Sequence, residues 1–339
     1  MGGYICHPFT LYEDKMLNRR DFILAGGALL STPALSQGTW PNRPVKVIVG
    51  FPPGGSNDVM ARVMCEYLSN RIGQQFVVEN RVGASGNIGA AAVSQAAPDG
   101  YTLGTVAIGN ATFNHLLFRN MPYDHVNGFT WISLLWELPN VVIVPARHVP
   151  ATNLQEFIRW AKEKPGGINF SSPGIGTTSY QSSAHLMRVA GIPATHVPFR
   201  GAAQATASLL AGDIHVAVDN MASHMPAIRE GLIRPLAIAD SQRWPLLLDV
   251  PTVEEAGLAG YGVFNAWHML AAPANLPSHV SDRLNDTLRD WANDLAARDR
   301  VQMMGARLLG TSQANTLTHL SRERSVWAER IRLSGAQPE

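Results

Sequence analysis

The sequence predicts an α/β protein built from two parallel-sheet lobes with a cleft between them. Three observations lead there. Short β-branched runs alternate with segments of helical periodicity. The alternation occurs in two separate blocks, and in both the strand-to-helix turns are rich in Gly, Ser or Asn. The chain has 339 residues, 46% hydrophobic and 16% charged, which suits two ordinary domains with packed cores.

In the first block, residues 45–49 (Val-Lys-Val-Ile-Val) read as a strand. Phe51-Pro52-Pro53-Gly54-Gly55 ends it, and Ser56-Asn57-Asp58 offer cap residues for a helix. Met60, Met64, Tyr67 and Leu68 then recur at helical spacing. Residues 76–78 are a second strand. A Gly-rich turn over 83–89 opens an Ala-rich helix at 88–97, which Pro98-Asp99-Gly100 stops. Residues 101–108 are a third strand. This βαβαβ order implies parallel strands joined by right-handed crossovers.

The second block repeats the scheme. A helix spans 154–164, a strand 168–170, a small-residue loop 171–179 and a helix 180–190. A strand at 195–197, a helix at 202–210, a strand at 214–218, a helix at 221–229 and a strand at 235–239 follow. Segments near 131–145 and 235–270 are the expected crossings between lobes. From Ser278 the chain returns to helices. Val280, Leu284, Leu288, Trp291 and Leu295 form one apolar stripe, and Leu320, Trp327 and Ile331 another.

The N-terminus reads as an address. Arg19-Arg20 and Phe22 open an apolar stretch that ends in small residues at Ala34 and Ser36, the order of an export signal of twin-arginine type. Cleavage is expected after Ser36, with Met1 and Met16 both possible starts. It removes three basic and three acidic residues, so the net charge stays +1. It also removes Cys6 and leaves Cys65 without an internal disulfide partner. The expected organisation is 1–36 signal, 37–140 first part of domain 1, 141–238 domain 2, and 239–339 the return to domain 1.

Several function classes are disfavoured. No basic stripe suggests nucleic acid. No apolar run reaches the roughly 18 to 20 residues of a membrane span. Gly54-Gly55 lacks the Lys of a phosphate loop, and the glycines of 83–89 are wrongly spaced for a dinucleotide. There is no Gly-x-Ser-x-Gly, no HExxH and no metal-ligand spacing among the histidines. We therefore expect no enzyme, no catalytic residues, no metal and no cofactor. What remains is the set of strand-to-helix turns at 52–58, 83–88, 171–179 and 200–202. Such turns expose backbone N–H groups at the positive ends of helices, which suit carboxylates and phosphates. The alternative is that their Gly and Ser serve only tight turns and caps. Asp219 either accepts a hydrogen bond from a ligand or caps the next helix. His185 and His196 either line the cleft or are structural. Arg200 either pairs with a distal carboxylate or is a surface charge.

Blocks distributed along the whole mature chain resemble one family. They are Phe51-Pro52-Pro53-Gly54-Gly55-Ser56-Asn57-Asp58, Val78-Glu79-Asn80-Arg81, Gly86-Asn87-Ile88-Gly89 and Ala97-Pro98-Asp99-Gly100-Tyr101. Pro122-Tyr123-Asp124, His196-Val197-Pro198-Phe199, Asp219-Asn220 and Asp249-Val250-Pro251-Thr252 continue the series. Their order and spacing are similar to the solute receptors of tripartite tricarboxylate transporters, the Bug family.

That resemblance implies a periplasmic-binding-protein-like, Venus-flytrap fold and a periplasmic, monomeric receptor. It implies a small organic acid as ligand and a two-subunit membrane permease as partner. The alternative partner is a membrane sensor kinase. By motif, the ligand-binding residues on one side are Pro53, Gly54, Gly55, Ser56, Asn57, Asp58, Gly86 and Asn87. Opposite them are Gly176, Thr177, Thr178, Ser179, Arg200, Gly201, Ala202 and Asp219. Two departures fall where selection of a ligand is expected. Phe199-Arg200-Gly201-Ala202 stands where many members have Tyr-Lys-Gly-Gly, and Ser171-Ser172-Pro173-Gly174-Ile175-Gly176-Thr177 where many have Ser-Ser-Gly-x-Gly-Thr.

Overall fold

The computed structural model describes residues 1–3, 40–334 and 338. The expected export signal, its cleavage point and Cys6 lie outside the described residues. The chain divides into two units, residues 1–40 and 41–339, and the fold lies in the second. No helix among the described residues is long and apolar enough to cross a membrane.

The first block comprises β1 (Val45–Val49), α1 (Ser56–Ile72), β2 (Phe76–Asn80), a tight 3-10 turn at Ala84–Gly86, α2 (Asn87–Ser94) and β3 (Thr102–Ala107). α3 (Ile108–Thr112) and α4 (Asn114–Leu117) follow at once. β4 (Phe129–Leu138) and β5 (Asn140–Pro145) make one extended ribbon broken at Pro139. The second block is α5 (Leu154–Glu163), β6 (Ile168–Ser172), α6 (Thr178–Ala190), β7 (Ala194–Pro198), α7 (Ala202–Ala211), β8 (Val216–Asn220), α8 (Met221–Arg229) and β9 (Ile233–Ile238). β10 (Ala266–Pro273), α9 (Ser278–Asn293), α10 (Leu295–Met303), β11 (Arg307–Leu308) and α11 (Gln313–Ser334) complete the chain.

Two sheets result, ordered β11-β4-β10-β3-β1-β2 and β7-β6-β8-β5-β9. Both have a parallel heart: β1 with β2 and β3, and β6 with β7 and β8. They are not wholly parallel, as the sequence had suggested. β10 runs antiparallel to β3 and β4, and β5 antiparallel to β8 and β9. The cause is the crossing itself. A strand arriving from the other lobe starts at the cleft, whereas the parallel strands end there. Asn140 accordingly pairs with Asn220, and His268 with Ala107.

After β9 the chain lingers on the second lobe. Thr252 bridges Ile238, Trp244 is buried with Val141 and Ile143, and the Tyr261 hydroxyl donates to the Ser182 carbonyl at 2.8 Å. Before it enters the first sheet at Ala266, the segment also touches the first-lobe side, where Phe264 meets Trp327 of α11 with centroids 5.8 Å apart.

The C-terminal helices cover the first sheet. Val280, Leu284, Leu288 and Trp291 are buried as their spacing predicts. Leu295 is 74% exposed instead. The helix breaks after Asn293, and Asp294 caps a new one by accepting from Ala297 N at 2.9 Å, which turns Leu295 away from the stripe. Leu320, Trp327 and Ile331 are buried, and Trp327 stacks on Phe113 with centroids 4.6 Å apart. Full burial of each such side chain contributes roughly 1.5–3 kcal/mol, so these stripes fix α9 and α11 in place. Cys65 is buried, and burial pushes its thiol up to about 12, so it is chemically inert.

Candidate functional site

The two lobes meet around a cavity of about 70 Å³. Five strand-to-helix turns and one strand supply its walls. β1–α1 gives Phe51, Pro52, Gly55, Ser56 and Asn57, and β3–α3 gives Ala107, Ile108 and Gly109. β10 gives Ala266 and His268. From the second lobe, β6–α6 gives Pro173 and Gly176 to Ser179, β7–α7 gives Gly201 and Ala202, and β8–α8 gives Asp219, Asn220 and Ser223. These turns converge because parallel strands all end on the same side of their sheet.

The helix termini are well suited to an anion. Gly55, Gly201 and Asn220 precede α1, α7 and α8, and none of them caps its helix with a side chain. At α1 and α7 the leading N–H groups are therefore open to a ligand, at the positive ends of the helix dipoles, whereas at α8 the Met221 N–H donates to the Pro139 carbonyl at 3.0 Å. Two other helices are capped by side chains: α5, away from the cavity, where Asn153 accepts from Glu156 N at 2.9 Å, and α6, at the cavity, where Thr177 Oγ1 accepts from Tyr180 N at 3.3 Å. No lysine or arginine lines the cavity among the described residues.

Asp219 is the charged group in the wall. Its Oδ1 accepts from Ser179 Oγ and from Asn220 N at 2.8 Å, and its Oδ2 from His224 Nε2 at 3.0 Å. Burial pushes the carboxyl up, but the His224, Ser179 and Asn220 donors outweigh it and hold it below the usual range. A Ser172–His196 contact at 2.8 Å joins the end of β6 to the middle of β7, and neither residue lines the cavity. His185 lies outside it as well.

Asn57 differs from Asp219. It is 4% exposed, and both its Nδ2 and Oδ1 are buried without a hydrogen-bond partner. Such a group costs about 1–3 kcal/mol unless something completes it. His268 is also buried, on the cavity face of β10. Strand periodicity puts Ala266 and His268 on that face and Trp267 on the other. Burial lowers the His268 imidazole to about 3, so it is neutral.

Ten of the sixteen residues singled out by sequence line the cavity: Gly55, Ser56, Asn57, Gly176, Thr177, Thr178, Ser179, Gly201, Ala202 and Asp219. Six do not. Pro53, Gly54 and Arg200 are exposed, so the Arg200 guanidinium does not reach the cavity. Asp58 is turned inward to shape the loop. It accepts from Gly54 N at 2.9 Å and Asn80 Nδ2 at 2.8 Å, and pairs with Arg62 at 2.9 Å. Burial opposes its charge, but these donors win and its carboxyl lies below the usual range. Asn87 is buried behind the wall, where its Oδ1 accepts from Asn110 Nδ2 at 2.8 Å and Tyr123 Oη at 2.9 Å. Gly86 has φ +88°, and a Cβ there would press within 3.2 Å of the Phe51 ring. Gly86 thus seats Phe51 from behind.

Sequence reasoning passed over His268, Ser223 and the Ile108–Gly109 turn. The crossing strand was read only as a connection, so a lone histidine in it carried no signal. Asn220 was noticed only beside Asp219. It takes part in the seam between lobes, where Ser56 Oγ donates to Asn220 Oδ1 at 3.1 Å and Gly176 N to Ser85 Oγ at 3.3 Å. The backbones also approach closely. A Cβ on Gly109 would lie 2.1 Å from the Gly176 carbonyl oxygen, and one on Gly201 3.0 Å from Pro52.

Comparison with known proteins places this geometry in a family. The model of the tripartite tricarboxylate transporter family receptor matches residues 60–327. The chain is 35% identical over 287 residues to a UPF0065 protein in the tcbD-tcbE intergenic region of Pseudomonas sp. strain P51, covering 83% of this chain and 84% of the relative. It is 30% identical over 309 residues to Protein BugT of Bordetella pertussis, covering 89% and 93%. Among solved structures, an R. palustris protein with adipate superposes with a TM-score of 0.86 at 32% identity, covering 88% of this chain and 100% of that one. MatC from Rhodopseudomonas palustris with bound malate gives 0.80 at 32%, covering 86% and 100%, and the periplasmic binding protein BugD 0.83 at 29%, covering 88% and 100%. The chain therefore belongs to the tripartite tricarboxylate transporter receptors, the Bug family, and has their two-lobed, Venus-flytrap-like α/β fold.

Proposed function

We propose that this chain is an exported, periplasmic receptor that closes its two lobes over a small organic carboxylate and hands it to a tripartite membrane permease. The carrying observation is the inter-lobe cavity where uncapped helix N-termini converge beside the unpartnered side chain of Asn57. The bound acid takes backbone N–H and hydroxyl donors in place of water. Such charge-assisted bonds strengthen when the closed lobes exclude solvent. The ligand touches the lining residues named above, while Asp58, Gly86 and Asn87 hold the walls in position. Adipate and malate in related structures support the ligand class, and family membership supports the permease as partner. A ligand that must be released again calls for an affinity of about micromolar order, roughly −8 kcal/mol.

Calorimetry across adipate, malate, succinate, citrate and benzoate tests the reading. At least one acid should bind one-to-one. Gly109→Ala, whose new methyl meets the Gly176 carbonyl, should weaken it at least a hundred-fold by holding the lobes apart. No heat from any acid, or a Gly109→Ala protein that binds as well as the parent, would count against it.

A further inference from the structure

His268 offers a sharper statement about what the cavity accepts. It faces Trp136 directly across the β10–β4 pair. The Trp136 indole Nε1 donates to His268 Nδ1 at 3.1 Å. An indole N–H is a donor and nothing else, so Nδ1 must be the acceptor and carry no proton. In a neutral ring the proton then sits on Nε2, and that nitrogen can only donate. Trp136 cannot relax to change this. It is fully buried, edge-on to Trp291 at 6.4 Å, and its strand is pinned between β10 and β11. Nε2 has no protein partner among the described residues, and the ring lines the cavity.

We infer that His268 is a ligand-contacting residue whose Nε2–H donates to an oxygen of the bound acid, with Trp136 fixing it as a donor. The inference rests on the carboxylate reading above and deepens it. It assigns one point of the cavity to a ligand acceptor, a carboxylate or carbonyl oxygen, and denies that point to an ammonium or hydroxyl proton. It does so without a cation, in keeping with a wall that has no lysine or arginine among the described residues.

The test has two readouts. In protein labelled with ¹⁵N-histidine, the His268 ring should show the Nε2–H tautomer without ligand, and its Nε2 resonance should move when adipate or malate binds. Trp136→Phe should release the lock, so that Nδ1–H signal appears and affinity falls a few-fold. By calorimetry, His268→Phe should weaken the best-bound acid at least ten-fold. His268→Gln, which keeps an acceptor for Trp136 and a donor for the ligand, should recover much of that loss. An Nδ1–H tautomer in the parent, or His268→Phe binding as tightly as the parent, overturns the inference while leaving the receptor reading intact. A parent that binds none of the acids overturns both. Should His268→Phe fail to fold, Trp136→Phe and His268→Gln carry the same test.

Discussion

The two walls of the cavity are built on opposite principles. The polar side chains of the second-lobe wall are satisfied from within. Asp219 is held by Ser179, Asn220 and His224, Thr177 donates to the Gly174 carbonyl at 2.7 Å, and Asn220 Nδ2 donates to Asn140 Oδ1 at 2.6 Å. The first-lobe wall is left open. Asn57 has two buried polar atoms without partners among the described residues, and the His268 ring, engaged by Trp136 at Nδ1, faces the cavity. A satisfied wall is rigid and adds stability. An open wall forgoes stability and adds affinity, because its polar groups are completed only by what enters. Substitutions in the two walls should therefore separate folding from binding.

The largest effect belongs to the satisfied wall. Asp219→Ala strands three buried donors, and breaking a buried charged network costs about 3–5 kcal/mol. The expected result is a melting temperature lower by roughly 10 °C without any ligand present. Thermal unfolding followed by circular dichroism checks this, and a melt unchanged from the parent would show that the network is not structural. On the open wall the sign reverses. Asn57→Leu removes two unpaired polar atoms at similar volume, so the ligand-free protein should be as stable or more stable by about 1 kcal/mol. Its affinity for the bound acid should still fall at least ten-fold. Calorimetric melting and titration of one preparation give both numbers, and a destabilised Asn57→Leu would place Asn57 with the structural residues.

The contrast also explains which parts were readable from sequence. Strand-to-helix turns announce themselves through Gly, Ser and Asn, so the turns at 55–57, 176–179 and 201–202 were found, and the structure sets them around the cavity. Sequence could not say which way a side chain turns within such a loop. Asp58 follows Asn57 directly, yet it points into the loop while Asn57 is part of the cavity lining. Arg200 carries a charge suited to a carboxylate but stays at the surface. The crossing strands were placed approximately. Their antiparallel pairing was missed, because local periodicity carries no record of the direction from which a strand enters a sheet. His268 is the consequence. Its role depends on the β10–β4 register that brings Trp136 opposite, a partner 132 residues away in sequence.

The last effect is a pH dependence that the open wall imposes on folding. His268 titrates at about 3 in the folded protein because of burial, against 6.5 for its ordinary value. Between those limits the unfolded chain binds a proton that the native protein refuses. Stability therefore falls as pH drops below about 6.5, and the loss continues until pH reaches about 3. His125 and His185, both lowered to about 4 chiefly by burial, act in the same direction at more solvated sites. Asp219, with its carboxyl held low, adds a further loss only below its ordinary 3.8. Each fully buried group of this kind sets a slope of about 1.4 kcal/mol per pH unit inside its window. Urea unfolding at pH 7, 6, 5 and 4 should show this decline, and His268→Phe should flatten it by about that slope between pH 6 and 4. Equal slopes for parent and variant would mean that the imidazole is charged in the folded protein. A ring charged in that way could not be the neutral donor assigned to the open wall.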